Sequence, residues 1–191
     1  MKRRKRLGDG RSSSLWGVGG AVAARFVAGA LENAQWSRPV DGLVLSSPAL
    51  DPGLSAFQRG LLGATLPLVP HLAVGNGLNP AWISRSADVV QAYKADPLVH
   101  NRITPTLARM IARFGAETLP LVPRWTTPTL LMWAGADRCV APAGSAAFAA
   151  AAAAGGAVQA VPFPGLSHEI FNEPEREQVF ARLRAWLGTR S

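Results

Sequence analysis

The chain has 191 residues, 48% of them apolar, so its length and composition fit one domain with a buried core. Its formal net charge is +8, but six of the 20 basic residues and one of the 12 acidic residues lie within residues 1–11. Residues 12–191 therefore hold 14 basic and 11 acidic residues, a net charge of +3. This nearly neutral body has no basic stripe with interleaved aromatic residues, which argues against nucleic-acid binding.

Two features of the sequence bear on the cellular location of the protein. No continuously apolar run reaches the roughly 18 residues of a membrane-spanning helix, so we expect no transmembrane segment. The single cysteine, Cys139, excludes an internal disulfide and is compatible with a reducing compartment. A cytoplasmic location is the simplest expectation.

The amino terminus allows two interpretations. Residues 1–16 are predicted to be a basic, disordered leader. Alternatively, residues 1–6 could be the positive region of a secretory signal, with residues 15–30 as its apolar part. Arg25 interrupts that apolar part, and its glycines suit a signal helix poorly, so we favour the leader.

The next elements indicate half of a β–α–β unit. Residues 20–31 are predicted to form a helix whose many small side chains let its backbone lie close to a sheet. Residues 42–47 are predicted to form a short strand, which Pro48 ends. The strand is apolar without alternation, as expected for a parallel strand covered on both faces.

Residues 51–128 differ in character, because prolines divide them into short helical pieces and no strand pattern occurs. The helices are predicted over 56–66, 87–94 and 104–114, and we interpret the segment as a helical cap or lid inserted above the strand ends. A strand over 129–134, a helix over 143–154, a strand over 157–162 and a helix over 174–187 follow. The predicted fold is therefore α/β, with a mostly parallel sheet, flanking helices and a core made of residues 17–50 and 129–191.

Two polar side chains follow the last two predicted strands. Asp137 comes after the strand over 129–134, and His168 comes after the strand over 157–162. An aspartate and then a histidine at successive strand ends is the chain order of the last two triad members in α/β-hydrolases. Each residue alone could equally be an ordinary loop residue.

Three longer pieces make the resemblance specific: residues 39–50 (PVDGLVLSSPAL), residues 93–100 (YKADPLVH) and residues 168–174 (HEIFNEP). With these pieces in this order, the chain resembles the monoacylglycerol lipase and lysophospholipase branch of the α/β-hydrolases, a branch also grouped with the serine aminopeptidases. The resemblance covers residues 19–187. It implies a serine-type hydrolase of carboxylic esters, with Asp137 and His168 as triad members and a small acyl ester or lipid as ligand.

The resemblance fails at the nucleophile. The family places its serine in a Gly-His-Ser-Met-Gly-Gly turn before a helix, and residues 15–20 stand in those six places, with Gly17 where the serine should be. A glycine has no atom that can attack a carbonyl carbon. Val18 would still supply one backbone N–H of the oxyanion hole. The family's second donor comes from an earlier His-Gly loop that the sequence lacks, so we expect a partial, amino-terminally truncated hydrolase fold.

Other hydroxyls are poor replacements for the serine. Ser12, Ser13 and Ser14 lie three to five residues before position 17, and a misplacement of about 1 Å can already cost on the order of 100-fold in rate. Ser46 and Ser47 end a neighbouring strand, but the family has similar residues there without using them for attack. We therefore expect no substitute nucleophile.

Metal and cofactor sites are not expected either. The three histidines and Cys139 are scattered without ligand spacing, and nothing marks Cys139 as an activated thiolate. The glycine-rich residues 17–20 lack the Lys and Ser/Thr of a phosphate loop and the spacing of a dinucleotide site.

Three hypotheses remain open at this point. The chain could be an active ester hydrolase, a non-catalytic lipid-binding or scaffold protein, or a truncated gene product without an independent role. The last would carry an exposed sheet edge that favours self-association. Because of Gly17, we expect no esterase activity from this chain.

Overall fold

The computed structural model describes residues 16–189, and only the backbone of Trp16. Residues 1–15 of the predicted leader, which include the basic part of the alternative signal, lie outside this range. Helix α1 (Trp16–Ala30) begins at the leader's last residue and spans residues 16–30 of the alternative signal's apolar part. Ser12, Ser13 and Ser14 also lie outside it.

A three-stranded parallel sheet forms the centre. Its strands are β1 (Leu43–Ser46), β4 (Thr129–Ala134) and β5 (Val158–Phe163), in the order β1-β4-β5. Leu43 aligns with Thr129, and Thr129 aligns with Val158. The three predicted strands and their parallel pairing are confirmed.

Strand β4 shows why the sheet needs helices on both faces. All six of its residues are buried, and their side chains alternate between two apolar clusters. Leu131 and Trp133 pack with α1, β1 and α5 (Pro142–Ala152), whereas Leu130 and Met132 pack with α6 (Arg176–Gly188). The uninterrupted apolar run of β4 thus reflects burial on both sides.

Helix α1 packs closely because its inner side chains are small. Ala21, Ala24 and Ala28 are fully buried, as the sequence predicted for this helix. The charge that interrupts its apolar run, Arg25, is paired with Glu117 at 3.0 Å and with Glu32 at 2.8 Å. Arg25 thereby links α1 to helix α4 (Pro105–Thr118).

Residues 51–128, which we call the insertion segment, contain the three predicted helices: α2 (Ala56–Thr65), α3 (Ala87–Ala95) and α4. The expectation of no strand was wrong, because β2 (Val74–Gly75) pairs antiparallel with β3 (Arg102–Ile103). Two-residue strands are too short for a periodic pattern to reveal them. Short 3₁₀ turns at Pro80–Trp82 and Leu119–Arg124 complete the segment, and a third lies at Ile170–Asn172. The division of the insertion segment from the core, as a separate lid, stays a prediction.

Across residues 16–189, no helix combines the length and apolarity needed to cross a bilayer.

Candidate active site

The loops after β4 and β5 meet at one edge of the sheet, because parallel neighbours end on the same side. The N–H of Gly135 donates to the carbonyl of Phe163 at 2.8 Å, and the N–H of Ala136 donates to the carbonyl of Leu166 at 3.2 Å. These bonds hold the two loops together just where the sequence places its aspartate and histidine.

Asp137 and His168 form a buried hydrogen-bonded pair. Oδ2 of Asp137 lies 2.6 Å from Nδ1 of His168, and the two side chains are 2% and 9% exposed. The other oxygen, Oδ1, accepts from the N–H groups of Cys139 (2.7 Å) and Val140 (3.1 Å). Because Asp137 is held by its own loop, it can fix the histidine ring with Nε2 directed away from the carboxylate.

Gly17 faces the free side of that ring. A Cβ atom built on Gly17 would lie 3.0 Å from Cε1 and 3.1 Å from Nε2 of His168. The carbonyl of Gly17 accepts from the N–H of Ala49 at 2.7 Å, which ties the start of α1 to the segment after β1. The residue that the resemblance assigned to the nucleophile position is therefore next to the imidazole nitrogen that would take a proton from a nucleophile.

Val18 lies in the first turn of α1. The N–H groups of a first turn have no carbonyl partner within the helix, and the helix dipole favours negative charge there. These properties suit the oxyanion-donor role suggested by the sequence, which stays a prediction.

Ser46 and Ser47 are buried at the end of β1, as the sequence suggested, but the Ser47 hydroxyl is already engaged. Its Oγ accepts from the N–H of Ala134 at 3.2 Å, and its backbone has a φ of 39°, in the left-handed region. The Ser47 hydroxyl is therefore directed toward β4.

Cys139 is closer to the pair than the sequence indicated. One ligand-type atom each from Asp137, Cys139 and His168 lies within 4.8 Å of the others, so the expectation that no donor cluster forms was wrong. Residues far apart in sequence meet here because their loops follow neighbouring strands.

Burial, together with the negative charges of Asp137 and Glu169, raises the pKa of the Cys139 thiol to about 12. The thiol is thus protonated at neutral pH, a poor nucleophile and a poor metal ligand.

Sequence reasoning missed Glu173 as a site residue, although residues 168–174 carried part of the resemblance. Its side chain is fully buried. Burial alone would raise the pKa of Glu173, but hydrogen bonds from Arg85, Ser167 and Ser84 outweigh it and hold the pKa below its usual value. A carboxylate five residues after the histidine was the available signal.

A family model described as serine aminopeptidase, S33, matches residues 16–175. The monoacylglycerol lipase of Mycolicibacterium smegmatis is 32% identical over 173 residues, which cover 89% of this chain and 59% of that protein. Phospholipase YtpA of Bacillus subtilis is 30% identical over 176 residues, 88% of this chain and 64% of that protein.

Among solved structures, the monoacylglycerol lipase of Paleococcus ferrophilus superposes with a TM-score of 0.79 at 30% identity. The match covers 90% of this chain and 65% of that protein. A soluble variant of the Saccharomyces cerevisiae monoglyceride lipase, at 18% identity and a TM-score of 0.73, shares the fold. The chain thus spans about three fifths of the length of these lipases.

Proposed function

The chain belongs to the serine aminopeptidase S33 family of α/β-hydrolases. We therefore propose that His168 is the base of a serine-type ester hydrolase whose nucleophile is missing, and that Asp137 orients this base. The observation that carries this proposal is Gly17 opposite Nε2 of His168, with no side chain of the described residues between them. This chain then does not turn over esters.

Each residue has a role in the chemistry of an active relative. Nε2 of the histidine removes the proton of a serine hydroxyl as its oxygen attacks the acyl carbon, and the aspartate stabilises the imidazolium. An N–H at the position of Val18 stabilises the oxyanion. In this chain the first step lacks its oxygen atom, so the base has nothing to deprotonate at position 17.

The ligand class follows from the relatives. We propose an acyl ester lipid of the monoacylglycerol or lysophospholipid type, bound beneath the insertion segment acting as a lid, in the cytoplasm. Contacts between this segment and the loops of both triad residues support the lid. In the histidine loop, the N–H of Glu169 donates to the carbonyl of Ile83 at 2.8 Å. In the aspartate loop, the guanidinium of Arg138 lies 4.7 Å from the centre of the Trp82 ring.

We predict that the purified chain is not labelled by a fluorophosphonate probe. We also predict that it hydrolyses p-nitrophenyl butyrate no faster than its His168→Ala variant does. Probe labelling that disappears in His168→Ala would contradict this proposal.

The same sample separates the two non-catalytic hypotheses. A monoacylglycerol that raises the Tm of the chain without releasing glycerol supports a lipid-binding protein. The absence of a Tm shift with any acyl ligand opposes it.

A second proposal concerns self-association through β1. Within residues 16–189 this strand pairs only with β4, Val44 is 38% exposed, and an apolar groove of about 480 Å³ runs beside it along α1. Unpaired backbone groups on an edge strand are a template for another strand.

We predict concentration-dependent dimers or larger species in size-exclusion chromatography with light scattering. Val44→Lys should shift them toward monomer, because a charge on an edge strand opposes pairing. Leu98→Lys is the matched control, since Leu98 is 75% exposed in the insertion segment and far in sequence from this edge. A monomer at all concentrations, or equal effects of both variants, would contradict the proposal.

A further inference from the structure

The carboxylate of Glu173 lies at the junction of the insertion segment and the histidine loop. Its Oε1 accepts from Oγ of Ser84 at 2.7 Å and from the N–H of Arg85 at 2.6 Å. Its Oε2 accepts from Nε of Arg85 at 2.7 Å and from the N–H of Ser167 at 2.9 Å. Four donors satisfy this buried charge, so its loss leaves the buried hydroxyl of Ser84 and the part-buried donors of Arg85 and Ser167 without this partner.

These bonds hold the residue just before His168. Ser167 donates to Glu173, while the residue just after the histidine, Glu169, donates to Ile83 of the insertion segment. Both neighbours of His168 thus make hydrogen bonds that do not involve Asp137. The backbone is therefore held on both sides of His168, in addition to the bond between its ring and Asp137.

We propose that Glu173 is a positioning residue, which holds the loop of His168 so that its ring keeps facing position 17. This inference rests on the proposed role of His168 as a base. Glu173 itself touches no reacting atom, since its partners are Ser84, Arg85 and Ser167. It acts through the histidine loop. Because Glu173 also bonds Ser84 and Arg85, it links the direction of the ring to the position of the insertion segment.

The chain offers a matched control in Glu175. Nη2 of Arg85 pairs with Oε2 of Glu175, so both carboxylates share one guanidinium. The Glu175 side chain is 38% exposed and the Glu173 side chain is fully buried. Glu175→Gln removes one charge beside Arg85 without touching the histidine loop, whereas Glu173→Gln places an amide N–H₂ against groups that donate.

The first test is ¹⁵N-edited NMR of His168 in the otherwise unaltered chain. The 2.6 Å bond to Asp137 should give a downfield Nδ1 proton that exchanges slowly with water. In Glu173→Gln we expect its exchange to accelerate by at least about tenfold, the size expected for losing one hydrogen bond to a charged group. Glu175→Gln should leave it within about twofold, as for a surface ion pair.

The second test measures fluorophosphonate labelling in a Gly17→Ser background. There Glu173→Gln should slow labelling on the order of 100-fold, the loss typical of about 1 Å of misplacement, and Glu175→Gln should not. If Glu173→Gln does not fold, Ser84→Ala removes one of the four bonds and should give a smaller shift in the same direction.

Outcomes of the two tests separate the inference from the proposed function. A background chain that is never labelled opposes the proposed function and leaves the NMR test decisive. A folded Glu173→Gln with unchanged proton exchange overturns the inference, as does a lower Tm with no change at His168. Absence of the downfield proton from the unaltered chain would overturn it as well.

Discussion

Gly17→Ser is expected to turn this chain into one that reacts with a fluorophosphonate. The new Cβ would lie about 3 Å from the His168 ring, so the ring must yield by a few tenths of an ångström, and the Oγ would come within hydrogen-bond reach of Nε2. The serine oxygen would attack phosphorus, fluoride would leave, and His168 would take the proton. We expect labelling at least about 100-fold above that of the unaltered chain, the lower end for general-base catalysis.

Two controls isolate the hydroxyl. Gly17→Ala adds the same Cβ without an oxygen, so it should fold like Gly17→Ser and remain unlabelled. Adding His168→Ala to Gly17→Ser should remove the labelling, because the serine loses its base. A correctly folded Gly17→Ser chain that stays unlabelled would show that the glycine alone does not stop the chemistry.

Gly115→Ala is expected to have the largest effect on stability. A Cβ at this position would lie 1.9 Å from the carbonyl oxygen of Leu50 and 2.6 Å from its carbonyl carbon. Neither is the flexible end of a side chain, so α4 or the segment after β1 must move. We expect the free energy of unfolding to fall by at least about 3 kcal/mol, the upper range for overpacking, measured by urea denaturation followed by circular dichroism.

Gly60→Ala is the matched control, since it makes the same change in α2 and its new Cβ would meet no atom within 4 Å. It should stabilise the chain by up to about 1 kcal/mol, because alanine favours a helix over glycine. Similar effects of the two substitutions would contradict the close packing of α4. Because Leu50 follows Ala49, which bonds to Gly17, Gly115→Ala should also weaken any labelling gained by Gly17→Ser.

The sequence identified the helices and the sheet because each long element carries its own local signal. The six apolar residues of β4 predict a strand buried on both faces, and the small residues of α1 predict close packing. The strands β2 and β3 have two residues each and carry no such signal. Their pairing depends on contacts between residues about 28 positions apart.

For the site, the sequence by itself determined which residues follow which strands, and the motif resemblance put glycine at the nucleophile position. Only the tertiary structure decided that Gly17 lies against Nε2 of His168 and that the Ser47 hydroxyl accepts a hydrogen bond from β4. It also decided that Cys139 lies close to Asp137 and His168, and that Glu173 accepts a hydrogen bond from the histidine loop. The physical reason is that a local pattern records burial and backbone preference. Distances of about 3 Å between side chains depend instead on how separate elements pack and which way each side chain is directed.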